Sequence, residues 1–166
     1  IAAATELPVI VYNIPSRCVV NIPPEELAEL AAIGNVVAVK QANDPELGPI
    51  EGLELLAGND NVFQRCLELG GTGGICVASH IVGPEMQMVA EAASRGEHAR
   101  ARELDAKLQP LYEALAVTTN PIPVKTALEM LGICSATMRL PMVPASDEQR
   151  AVIRAALEAR GLEVLA

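Results

Sequence analysis

Lys40 closes one of the most apolar short runs in the chain, Val36-Val37-Ala38-Val39-Lys40. Such a run reads as a buried parallel strand, although one this short also fits a piece of buried helix. An ammonium held in an apolar wall is costly, so the group finds a partner, reaches water along its stem, or loses its proton more readily. In the last case a neutral amine is available near neutral pH, and it can attack a ketone to form a Schiff base. The plainer alternative is a strand-end lysine whose head meets solvent or a carboxylate. Tyr12, which ends the run Pro8-Val9-Ile10-Val11-Tyr12, supplies a second component. A phenol beside an amine nucleophile can relay protons during carbinolamine formation and carbon–carbon bond making.

Positioning these two side chains requires strands. Pro8–Tyr12 reads as the first, closed by Asn13 and Pro15, and Pro23-Pro24-Glu25-Glu26 opens a helix reaching Ile33. After the lysine strand, Asp44-Pro45-Glu46 starts a helix interrupted by Gly48, Pro49 and Gly52. Glu54–Ala57 is a short strand, Asn61–Leu69 a helix, Gly74–Ala78 a strand, and Pro84–Ser94 a helix. Four consecutive strand-helix units with short connections favour a parallel sheet with right-handed crossovers. The fold class is therefore α/β, and four such units make half of a (β/α)8 barrel. From Glu97 the pattern turns to helices alone: Glu97–Leu115, bent or broken by Pro110, then Pro123–Leu131, then Ser146–Arg160 with Ser146 and Gln149 as a capping box. The boundary falls at Arg95-Gly96, giving a half-barrel over 1–95 and a helical segment over 96–166.

In a barrel of this kind the chemistry sits where strands end. Those ends carry Tyr12-Asn13, Lys40-Gln41, Gly58-Asn59-Asp60 and Ser79-His80. His80 and His98 have no partners at metal-ligand spacing and read as structural or solvated. No metal or organic cofactor is indicated. The Gly70–Gly74 cluster leads into a strand rather than a helix, the reverse of a phosphate-binding loop, and reads as turn geometry. Asn120-Pro121-Ile122-Pro123 reads as a rigid connector.

Composition narrows the setting. The chain has 166 residues, 51% hydrophobic and 20% charged, with two Tyr, one Phe and no Trp, so its core must be aliphatic. A net charge of −9 argues against partners such as nucleic acid or an anionic membrane. The scattered cysteines Cys18, Cys66, Cys76 and Cys134 and the lack of an export signal suggest reduced thiols and a cytoplasmic protein. The chain opens without an initiator Met and enters a strand almost at once, which suggests a piece of something longer.

Tyr12-Asn13-Ile14-Pro15-Ser16-Arg17, followed by Val37-Ala38-Val39-Lys40-Gln41-Ala42, resembles the dihydrodipicolinate synthase family. These are pyruvate-dependent class I aldolases, a group that includes N-acetylneuraminate lyase. The likeness continues through Leu56–Asp60, Gly70–Ile75, Asn120–Lys125 and Leu140-Pro141-Met142. It implies that Lys40 forms the Schiff base with pyruvate, that Tyr12 relays protons, and that Arg17 binds the carboxylate of aspartate semialdehyde. Backbone near Gly58 and Ile75 would line the pocket. The family commonly has an acid where Gln41 stands, and Thr-Gly where Cys18-Val19 stand. The resemblance begins at the family's fifth strand, so a fragment with little or no activity alone is expected, and a homotetramer for the whole. Within the same chemistry, a neuraminate lyase or another 2-keto-acid aldolase is the alternative. A non-catalytic half-barrel assembly module is the alternative from another class.

Overall fold

The computed structural model describes residues 1–165. Four strands, β1 (Val9–Asn13), β2 (Val36–Gln41), β3 (Glu54–Ala57) and β4 (Gly73–Gly74), form one parallel sheet in which each pairs with its successor. The fold is thus α/β, with four parallel strands and accompanying helices. Packing groups the chain into two compact units, one of Ile1–Cys76 with Met88–Arg102, the other of Val77–Gln87 with Glu103–Ala166.

The register of the first unit positions everything that follows. Tyr12 pairs with Lys40, Lys40 with Leu56, and Leu56 with Gly73; one residue on, Asn13, Gln41, Ala57 and Gly74 form the next row. Successive side chains in a strand point to opposite faces, so these rows belong to different sides of the sheet. The side of Asn13 and Gln41 is buried together with Val39 and Leu55, and Leu27, Phe63 and Cys66 from the helices are buried with them. Full burial of side chains such as Val39 and Leu55 contributes about 1.5–3 kcal/mol each. On the side of Tyr12 and Lys40, Ile10 and Tyr12 of β1 are 46% and 45% exposed, whereas Ala38, paired with Ile10, is buried.

Several helices depart from expectation for local reasons. A short α1 (Pro15–Cys18) follows β1 directly, with Pro15 in its first turn and Val19 ending it at φ 67°. Helix α2 spans Pro24–Leu30, and Asp44–Glu46 is only a single 3-10 turn. A 3-10 turn at Asp60–Val62 leads into α3 (Phe63–Glu68). The expected strand Gly74–Ala78 is replaced by two residues, Gly73–Gly74, flanked by the Thr72 N–H, which donates to Leu55 O at 3.0 Å, and the Ile75 N–H, which donates to Ala57 O at 2.9 Å. Helix α4 starts earlier than expected, at Ser79, and runs to Ser94 with a break at Val82. Pro84 lacks an N–H, and its ring opposes the carbonyl a turn earlier.

In the second unit, the expected Glu97–Leu115 helix is divided into α5 (His98–Ala106), which begins in the first unit, and α6 (Gln109–Leu115), with Pro110 in the first turn of α6. Helices α6, α7 (Ile122–Met130) and α8 (Asp147–Ala159) pack together through residues such as Leu111, Leu115, Ala127, Ile153 and Leu157. The capping box forms: Gln149 N donates to Ser146 Oγ at 3.3 Å, and Ser146 N to Gln149 Oε1 at 3.0 Å. Among the described residues no helix is long and apolar enough to cross a membrane.

Candidate active site

Parallel pairing of β1 and β2 sets Tyr12 and Lys40 side by side, and the Lys40 ammonium lies 3.9 Å from the centre of the Tyr12 ring. The contact is with the ring face, whose negative quadrupole attracts the cation. Lys40 is half-buried, while the tyrosine ring is open to water on one side. An amine in this position is held in place without being sealed from a small ligand.

The strand ends around the pair are tightly built. Gly58 N donates to Gln41 O at 2.8 Å, and a Cβ at position 58 would lie 2.7 Å from that same oxygen, so the close approach needs glycine. Ile75 is 47% exposed. Cys76, past the end of β4, has its Sγ 3.9 Å from Ala57 O and 4.0 Å from Asn59 O. Burial, then the neighbouring Asp60 charge, push its thiol up to about 12, against an opposing pull from the Lys40 ammonium. Arg17 is exposed on α1 beyond Tyr12. The structure thus brings Tyr12 and Lys40 into contact, puts Gly58 at the adjoining strand end and Ile75 just past β4, and leaves Arg17 on the loop side of β1. Among the described residues no group of His, Cys, Asp and Glu is arranged to hold a metal ion.

Behind this pair lies a polar layer that sequence reasoning missed. Asn13 Nδ2 shares its two hydrogens among Asn21 Oδ1 (3.0 Å), Ile22 O (3.1 Å) and Gln41 Oε1 (3.1 Å), and Asn13 Oδ1 accepts from Ile22 N at 3.1 Å. Gln41 Oε1 also accepts from Asn43 N at 3.1 Å. Asn21 reaches the Glu46 carboxylate at 3.0 Å, and Asn59 reaches Asp44 at 2.7 Å. These bonds tie the segments that leave β1, β2 and β3 to one another, so they fix the ends from which Tyr12 and Lys40 project. Gln41 Nε2 is buried and has no partner among the described residues. Strand alternation was the available signal, since it places Asn13 and Gln41 on the face shared with Val39 and Leu55.

The fold and site together define a class: a parallel α/β sheet with a lysine and a tyrosine paired at adjacent strand ends. Comparison with known proteins narrows it. The model of the dihydrodipicolinate synthetase family matches residues 1–160, and the chain belongs to that family. It is 41% identical over 167 residues to 4-hydroxy-tetrahydrodipicolinate synthase of Synechococcus elongatus, covering 96% of this chain and 56% of that one. The Listeria monocytogenes serotype 4a enzyme of the same name is 40% identical over 165 residues, with 95% and 56% covered. Dihydrodipicolinate synthase from Aquifex aeolicus superposes with a TM-score of 0.93 at 35% identity, covering 99% of this chain and 59% of that one. The chloride-inhibited enzyme from Acinetobacter baumannii, complexed with pyruvate, superposes at 0.92 with 32% identity, covering 97% and 58%. The chain therefore spans a little over half the length of these relatives.

Proposed function

We propose that the chain is the C-terminal half of a (β/α)8 barrel, with strands five to eight in residues 1–95 and a helical segment in 96–166. In the whole protein it would condense pyruvate with L-aspartate semialdehyde to 4-hydroxy-tetrahydrodipicolinate, a step toward lysine and diaminopimelate. The observation that carries this reading is the in-register pair of Lys40 and Tyr12, 3.9 Å from ammonium to ring centre. It is supported by family membership and by relatives bearing the synthase name.

In this mechanism the neutral Lys40 amine attacks the pyruvate ketone carbon, and the carbinolamine loses water to give an imine. Loss of a methyl proton yields an enamine, whose carbon attacks the aldehyde of the second substrate. The amino group of the aspartate semialdehyde portion then attacks the imine carbon, forming the ring C–N bond, and the bond to Lys40 breaks to return the free amine. Tyr12 would relay protons through these steps, a role that requires its hydroxyl to meet the bound substrate. Arg17 would take the carboxylate of aspartate semialdehyde in a paired, charge-assisted contact. Backbone at Gly58 and Ile75 would bound the pyruvate pocket. The whole protein would be a cytoplasmic homotetramer, and this chain alone would turn over little.

Borohydride reduction in the presence of pyruvate, read by peptide mass spectrometry, tests the reading. A stable adduct on Lys40 in the parent protein is the expected result. Labelling no greater than in Lys40→Ala would overturn it and favour a structural, non-catalytic half-barrel.

A further inference from the structure

Two cations that make no ion pair with a carboxylate among the described residues meet at one cavity of the second compact unit. Lys125 and Arg139 line a space of about 590 Å³ together with Pro121, Thr137, Met138 and Met142. The chain has 21 acidic residues against 12 Lys and Arg, so an unneutralised cation has many carboxylates to choose from. Arg95, Arg102, Lys107, Arg150, Arg154 and Arg160 each lie within ion-pair distance of a glutamate. Arg139 is exposed, and among the described residues its guanidinium has no such partner. The Lys125 ammonium donates to Thr137 O, which leaves further N–H donors available. Glu129 feels the Lys125 charge, yet its carboxylate is engaged by Ala136 N at 2.9 Å and Arg150 Nη1 at 3.2 Å.

Two further features shape what this cavity accepts. Pro121 is the residue that caps α7, a nine-residue helix whose N-terminus has no side-chain cap and adds its positive end to the two cations. Met138 and Met142 contribute flexible, polarisable apolar wall. A bare inorganic anion would use the cations and leave that wall unmatched. An organic carboxylate uses both, and the cavity lies within the range of small-molecule sites, about 300–1,000 Å³.

We propose that this cavity binds a small organic carboxylate, with the carboxylate at Arg139 and Lys125 and a short hydrocarbon body against Met138 and Met142. The site belongs to a different compact unit from Lys40 and does not depend on Schiff-base chemistry.

The test is a titration of the purified chain, labelled at its methionine methyls, with glutarate, inorganic phosphate and the neutral diamide of glutaric acid. Glutarate should shift the Met138 and Met142 methyl resonances saturably, with a Kd on the order of 1 mM, and bind at least about tenfold more tightly than the diamide or phosphate. Arg139→Gln, at an exposed position, should weaken glutarate binding about tenfold or more, and Arg139→Lys should restore part of it. Lys125→Met should weaken it too, while Lys40→Ala should leave it unchanged. Absence of saturable shifts at the two methionines overturns the proposal. Phosphate binding as tightly as glutarate overturns the organic class, and undiminished binding in folded Arg139→Gln overturns the assignment of the site.

Discussion

Tyr12 and Asn13 are neighbours in sequence, as are Lys40 and Gln41, yet the pleat sends them to opposite faces of one sheet. On one face Asn13 and Gln41 are 1% and 0% exposed and bonded into a polar layer that joins three strand ends. On the other, Tyr12 stays 45% exposed and Lys40 rests on its ring. The buried amides have fixed positions because a broken bond there leaves a dehydrated polar group, which costs about 1–3 kcal/mol. Tyr12 and Lys40 on the other face remain partly open to water. The strand ends that carry Tyr12 and Lys40 on one side of the sheet are tied together by hydrogen bonds on the other.

The largest effect should come from the open face. Lys40→Ala, or Lys40→Arg, should abolish the borohydride-trapped pyruvate adduct in the parent protein, while circular dichroism remains that of the folded chain. Next comes thiol reactivity, which separates buried from open surroundings directly. Cys18 and Cys134 are exposed, whereas burial raises Cys66 to about 11 and Cys76 to about 12. At pH 8 the thiolate fraction of the latter two is roughly 0.1% or less, so iodoacetamide should label Cys18 and Cys134 and spare the others in the native chain. Equal labelling of all four would show that the covered face is not closed.

A stability comparison sharpens the contrast further. Asn13→Ala removes partners from Asn21, Ile22 and Gln41 and should cost about 3 kcal/mol in urea unfolding. Tyr12→Phe, one residue away, should change stability by less than about 0.5 kcal/mol. Similar losses for the two would erase the distinction between the faces.

The smallest effect applies the same rule in the second unit. Asp105 is buried, and burial raises its carboxyl above the usual range, opposed by Gln109 (2.6 Å) and Tyr112. A raised native value means its favourable contribution is complete below the unfolded pKa, about 3.9, and is lost as pH rises through the native value. Asp105→Asn keeps an oxygen acceptor for Gln109 and removes the charge. It should match the wild-type chain in acid and melt about 1–2 °C higher at neutral pH, as scanning calorimetry would register.

Much of the candidate site was legible because it follows from local rules. Apolar runs ending in Tyr12 and Lys40 gave the strands, and the Ser146–Gln149 capping box is a contact between residues three apart in sequence. Where local signals conflict, pairing decides: Ile75 to Ala78 are apolar enough for a strand, yet pairing with β3 stops after Gly74 apart from one N–H. Strand alternation put Asn13 and Gln41 on the covered face, but their bond to each other, and that of Asn43 to Asn21, join residues 28 and 22 apart in sequence and follow only from the pairing of the strands.

What the sequence by itself determined is the alternation of strand and helix, the residue types at each strand end and the family, all of which depend on near neighbours or on pattern. Only the tertiary structure decided that the ammonium meets the face of the Tyr12 ring, that the amides behind it are bonded across strand ends, and that Lys125 and Arg139 share a cavity. Each of these is a contact between groups brought together by packing, and packing is set by the whole fold rather than by any one segment of it.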